Sequence, residues 1–411
     1  MSSFAYQRDE SRSFGELRFP PADVLDTTEL ARRWAGWLDL RDTDGLVPLR
    51  SLHAVHLARM LTGEQDEDVP NWFSTVSVTS SRYQVVVQAR SDRHRCEQPG
   101  ALPAEVRSPR WQALVEALEG WAGLPAARRV VVVALLTQLG FHRLAVRLVG
   151  TFAVDADPVR QQLVYEVARA AYQLNRKSPI PYEIFAWLAR DAVRPALRTL
   201  AALQLVSTRV RGSDREEAGR WLAAAERSLA GLGDEPDWLA HLVTSRYHRA
   251  AALHELSGRD REPVVTHMRA ALEHDDALAR SAGNPSQVHY QRENRGLVLE
   301  AHLKLDTLTG TASAPADAVE QLLSLDPVDP EPLYAVGAYL AGFGDREAAL
   351  ATFLRAAGSG TLRGASAANA AAVCAERLGR PDVAEHARRL LLDLDPAARL
   401  AVHQADTRTR R

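Results

Sequence analysis

From Ser108 to Leu394 the chain repeats one local pattern: a capping residue, a stretch with apolar residues three and four apart, and a short polar connection. Nothing else in the sequence constrains the fold as strongly. Apolar residues at this spacing share one face of an α-helix, and helices joined by short connections lie antiparallel to their neighbours. Ser108-Pro109 and Asp157-Pro158 are start signals: a side-chain oxygen for the free N–H groups, then proline at the first helical position. Trp111, Leu114, Leu118 and Trp121 form the first apolar face, and Leu163, Val167 and Ala171 the second. Further helices are expected over 181–193, 196–210, 215–230, 236–256, 262–274, 286–305 and 315–325.

The first hundred residues read differently. Residues 1–25 carry Pro20-Pro21 and suggest an irregular arm. Asp26 and Glu29 have the spacing of a capping box, ahead of Leu30, Trp34, Trp37 and Leu38. A second helix is expected from Pro48 to Leu61, stopping at Gly63. Trp72–Thr79 and Tyr83–Gln88 are rich in β-branched and aromatic residues, and a small β-hairpin is expected there, turning at Ser80-Ser81-Arg82. The expected organisation is an N-terminal region over 1–107 with a linker at 91–107, a helical array over 108–396, and a polar tail over 397–411.

Two segments near the C-terminus align with each other. Leu333, Val336, Gly337, Leu340, Gly344, Ala349, Phe353 and Ala356 make one unit; Ala368, Ala371, Ala372, Ala375, Gly379, Ala384 and Leu391 make the next. Gly344 to Gly379 is 35 residues, as is Ala349 to Ala384. Small residues at 337, 349 and 372 let helices approach, large ones at 333 and 353 fill the space beside them, and the two glycines permit tight turns. Weaker copies run through Val132, Leu136, Gly140 and Ala145, and through Tyr247, Ala250, Ala251, Gly258 and Ala270. These units resemble the tetratricopeptide repeat (TPR) family, whose period is about 34 residues. The resemblance is strongest over 330–396, with Pro330 and Pro396 where the family ends its second helix, and architectural over 108–329. Arg388 departs from it, standing where Phe353 stood. The resemblance implies an all-α fold, a TPR-like α-solenoid of helix hairpins whose stacking buries a shared core.

Several functions lack their markers. A net charge of −2 gives no global pull towards nucleic acid or an anionic membrane. No apolar stretch is long enough to span a bilayer, the N-terminus has no secretory h-region, and Cys96 and Cys374 are too far apart in sequence for a disulfide framework. The cytoplasm is the expected setting. All but two of the 50 basic residues are arginine, and neither Lys177 nor Lys304 follows a glycine-rich phosphate loop. Metalloprotease, redox and hydrolase motifs are missing, so a catalyst is not the expected reading.

More than half of the 13 histidines lie between His241 and His302. His241 and His248 are seven apart, as are His267 and His274, so one ion would need ligands from another helix to engage either pair. His53 and His56, three apart, have chelating spacing, and His94 and Cys96 form a small charged cluster. Ordinary histidines remain the expected reading, with no cofactor and no metal. Cys374 reads as a small core residue. The arginines at 209, 211, 215 and 220 are diluted by Asp214, Glu216 and Glu217.

The resemblance implies a concave groove, lined by first helices, that takes a protein or peptide partner. Carried onto this chain, the groove-facing residues are Tyr334 and Asn369, joined on a looser alignment by His248 and Asn294. The expected function is a non-catalytic scaffold or adaptor. The alternatives are a peptide-sensing transcriptional regulator, for which residues 28–62 would have to read DNA, and an accessory subunit or unfamiliar enzyme of a bacterial biosynthetic or defence pathway.

Overall fold

The computed structural model describes residues 49–64, 99–102, 104–139, 141–150, 156–175, 178–256, 261–325, 330–358 and 362–394. Among them are sixteen α-helices and no strand. In chain order they are α1 (Leu49–Leu61), α2 (Pro109–Glu119), α3 (Ala126–Gln138), α4 (His142–Val149), α5 (Pro158–Leu174), α6 (Pro179–Asp191), α7 (Pro195–Arg211), α8 (Arg215–Leu229), α9 (Asp237–Glu255), α10 (Glu262–Ser281), α11 (Pro285–Thr309), α12 (Ala318–Leu325), α13 (Pro330–Gly342), α14 (Arg346–Ala357), α15 (Leu362–Arg377) and α16 (Pro381–Leu394). The expected β-hairpin, the Asp26 helix and the tail lie outside the described residues, as do His94 and Cys96.

The start signals work as the sequence implies. Ser108, Asp157, Ser178 and Asn284 each accept a backbone N–H from the first turn of the following helix, and each precedes a proline. Pro330 opens α13 and does not close the helix before it. The turns share a second device. Gly344 and Gly379 have φ of +102° and +70°, a left-handed conformation that costs glycine little. The next residue's N–H then bonds the carbonyl five back, Asp345 to Leu340 and Arg380 to Ala375, both at 2.9 Å. This ending satisfies carbonyls the helix itself leaves free. Glu64 bonds Arg59 and Asp214 bonds Arg209 in the same way, with Ser213 taking the left-handed position at φ +62°. Asp214 and Asp345 also cap the following helix, so one residue closes a helix and opens the next.

Tight turns make hairpins, and the hairpins stack. Each odd-numbered helix from α3 to α15 packs on its even-numbered partner; α3 meets α5, α7 meets α9, and the odd helices continue through α11 and α13 to α15. The arrangement is compatible with an α-solenoid. Where the expected periodicity breaks after α11, buried Asp306 accepts from the Thr311 and Ser313 hydroxyls and from the backbone N–H groups of Ser313 and Ala314. The loop is thereby fixed and α12 follows as a short helix.

One apolar cluster runs from Ala54 to Tyr290, and another fills α13–α16. The second shows why small residues recur. A Cβ built on Gly337 would lie 2.6 Å from the Phe353 ring, so the ring occupies the space a side chain would need. Ala372, its counterpart one unit on, is also buried. Arg388 pairs with Glu376 and Glu385 at the surface, while Ala387 and Leu391 enter the core. The first described helix, α1, packs on α2 and α3 and also reaches α11.

Candidate functional site

The row of odd-numbered helices carries a cavity of about 330 Å³. Three helices line it with the same stripe. From α7 come Leu200, Leu203, Gln204 and Ser207; from α9, Arg246, Arg249, Ala250 and Leu253; from α11, Leu297, Glu300, Ala301 and Lys304. The spacing is i, i+3, i+4, i+7 each time, which is one face of a helix. Tyr165 of α5 closes one end, where its hydroxyl accepts from Gln204 Nε2 at 3.2 Å. Leu305 and Leu308 extend the α11 stripe, and Leu308 is 69% exposed.

The cavity's chemistry is apolar with a cationic excess. Arg246, Arg249 and Lys304 line it, against the single carboxylate Glu300. Lys304 is paired with Glu300 and approaches Glu331 of α13 at 3.8 Å. Behind the lining is a buried polar layer. Glu166 and Arg169 pair at 2.8 Å with side chains 0% and 5% exposed. Burial pushes the Glu166 carboxyl up and the Arg169 charge pulls it back down. Burial pushes the Arg246 guanidinium pKa down, and the Glu293 charge is the main influence opposing that. Such a layer is expensive to bury and is favourable only when its charges are matched.

The four residues expected to face the groove do not line this cavity. His248 lies on α9 two residues beyond Arg246 and turns to the hairpin partner α10, its Nδ1 3.0 Å from Nδ1 of His267. Asn294 is fully buried; its amide donates to Ser245 at 2.9 Å and to Asp275 at 2.8 Å, so it joins α9, α10 and α11 and is not offered to a ligand. Tyr334 is partly exposed on α13, its ring tilted against Phe353. Asn369 is partly exposed on α15. Sequence reasoning missed Arg246, Arg249 and Gln204, although the shared four-residue spacing was available as a signal.

The histidines pair across helices. His241 meets His274 with Nδ1 atoms 3.2 Å apart, and the rings of His248 and His274 stack, which links both cross-helix pairs into one ladder between α9 and α10. His53 and His56 of α1 lie against α11, where His56 stacks on His289 with centroids 4.1 Å apart. Of the four arginines read as diluted by acidic neighbours, Arg209 pairs with Glu217 and Arg215 with Glu255. Cys374 is buried, and burial raises its thiol pKa, the opposite of what a nucleophile requires. Among the described residues no helix is long and apolar enough to cross a membrane. The sequence matches no protein-family model and no curated protein.

Proposed function

We propose that the protein is a TPR-like scaffold that captures a peptide segment of a partner in the groove formed by α5, α7, α9 and α11. The observation that carries this reading is the threefold stripe: three successive odd-numbered helices turn the same four positions to one cavity. A stacked array of hairpins creates an extended concave face of this kind. The cavity falls in the size range of small-ligand pockets, enough for one or two peptide side chains, while the open lip lets the rest of a segment continue along the array. An apolar side chain of the partner complements the leucines of the stripe. The proposal places this binding in the cytoplasm.

The buried state of α1 favours a scaffold over a DNA-reading regulator. From His53 to Leu61 every residue of α1 is buried except Arg59, which is partly so. Over His53–Leu61 it turns no exposed side chain outward for a major groove, which a recognition helix needs.

The test is selection of binding peptides from a random library displayed on phage, using the intact protein. Enriched sequences should carry an apolar residue and bind wild type, with at least a tenfold loss against Leu253→Arg. Peptides that bind Leu253→Arg as well as wild type would contradict the groove assignment.

A further inference from the structure

We propose that His53 of α1, together with His289 and Glu293 of α11, forms a binding site for a divalent transition-metal ion of the zinc or ferrous type. Such an ion would tie the N-terminal helix to the middle of the array. One nitrogen from each histidine and one oxygen of Glu293 lie within 4.8 Å of one another. All three residues are buried, at 1%, 3% and 4% exposure. His289 and Glu293 are four apart on one helix and therefore share a face, and α1 delivers His53 to that face with its ring 5.9 Å from that of His289 and only 11° from parallel.

Chemistry narrows the ion. Two imidazoles and one carboxylate suit zinc and ferrous iron; magnesium and calcium require oxygen ligands throughout. Metal–ligand bonds of about 2.0–2.2 Å put ligand atoms about 3.4 Å apart in a tetrahedral site. The three donor atoms lie within 4.8 Å of one another here, so binding of an ion draws them together. Nε2 of His289 makes no hydrogen bond although it is buried, an arrangement that is costly unless something completes it.

The surroundings are suited to holding ligands still. His56 stacks on His289, and the Tyr290 ring lies 5.7 Å from His53 and 6.0 Å from His289. Arg246 faces Glu293 from α9. A carboxylate has two oxygens and about four lone-pair sites, so it can serve a guanidinium and an ion together. Counter-charge for Arg246 is the competing account of Glu293, but it leaves the buried, unbonded Nε2 of His289 unexplained. The ladder between α9 and α10 is a different arrangement: its nitrogens meet in twos, and it provides the control.

Full-length protein is stripped with chelator, dialysed against Zn2+ and then buffer, and its metal content measured by mass spectrometry. One equivalent per chain is expected in wild type and in the His248→Ala/His267→Ala control. His289→Ala and Glu293→Gln should each weaken zinc binding at least tenfold. Zinc should also slow hydrogen exchange in wild type over 49–61 and 285–297, a readout that does not depend on the variants folding. Less than a tenth of an equivalent in wild type, retention by both site variants, loss only in the ladder control, or unchanged exchange over those segments would each overturn the site.

Discussion

The closing hairpins α13–α16 and the middle of the array, α5–α11, are built from the same unit but solve different problems. In α13–α16 the interior is apolar and small-grained: alanines, Leu333, Phe353 and Leu391, with Glu331 the only buried polar residue among those described. The middle buries Glu166, Arg169, Arg246, Glu293 and Asn294 along its odd-numbered helices, and Asp275 on α10. Close packing with no polar demands gives stability at little risk. Buried charge must be matched by its neighbours and is retained at a stability cost. Under the proposed function, the end of the array supports the fold and the middle recognises the partner.

The largest test of that contrast is the ion pair. Arg169→Met removes the guanidinium from a fully buried carboxylate, and urea unfolding should show a loss of about 3–5 kcal/mol. The double variant Glu166→Gln/Arg169→Met should recover most of it. A small loss in the single variant would mean that the buried polar layer imposes no matching requirement.

In the closing hairpins the matching stress is overpacking. Ala372→Leu should cost about 1–3 kcal/mol and fray α15 and α16 first, because arrays are stabilised by neighbour contacts. Hydrogen exchange should rise over 362–394 and stay unchanged over 158–255. Uniform loss of protection along the chain would mean that the two regions unfold as one.

The α9–α10 ladder makes the middle sensitive to acid. Burial, then the charges of His267 and His274, push the His248 pKa down to about 4; burial also lowers His267 and His274. Glu226 of α8 and Glu255 of α9 oppose the shift at His267, and Glu273 of α10 opposes it at His274. The unfolded chain binds protons near pH 6.5 and the folded one does not. This contribution is therefore fully present above about pH 6.5 and is lost as pH falls towards 4. Thermal melts of wild type should fall across that window, and His248→Gln/His267→Gln should flatten the slope. An equal slope in the variant would place the acid sensitivity elsewhere.

The smallest effect compares two turns. Ser213 takes a left-handed conformation that Gly344 takes in the closing hairpins. Ser213→Gly should stabilise by up to about 1 kcal/mol, and Gly344→Ala should destabilise by about 1–2 kcal/mol. Opposite signs in denaturant midpoints confirm a common turn; the same sign would break the equivalence.

Local devices were legible in the sequence. Ser108 and Asp157 cap helices as read, Gly344 and Gly379 are left-handed as read, and Gly337 is small because Phe353 occupies the space beside it. Each of these depends on neighbours within one hairpin. The site was less legible because it depends on superposition of hairpins whose lengths differ. Asn294 was aligned to a groove position, but α11 is 25 residues long and its register against α9 turns that amide inward. The approach of His53 to His289 could not be read at all, since helical spacing reports only on a residue's own helix. The stripe at 200–207, 246–253 and 297–304 was readable in principle, by comparing helices with each other and not with a family pattern.

Hydrogen exchange with and without a selected peptide tests the division of labour most directly. The account predicts peptide-dependent protection over 200–207, 246–253 and 297–308, with α13–α16 unchanged. Protection confined to the segments around Tyr334 and Asn369 would contradict it, placing recognition on the closing hairpins.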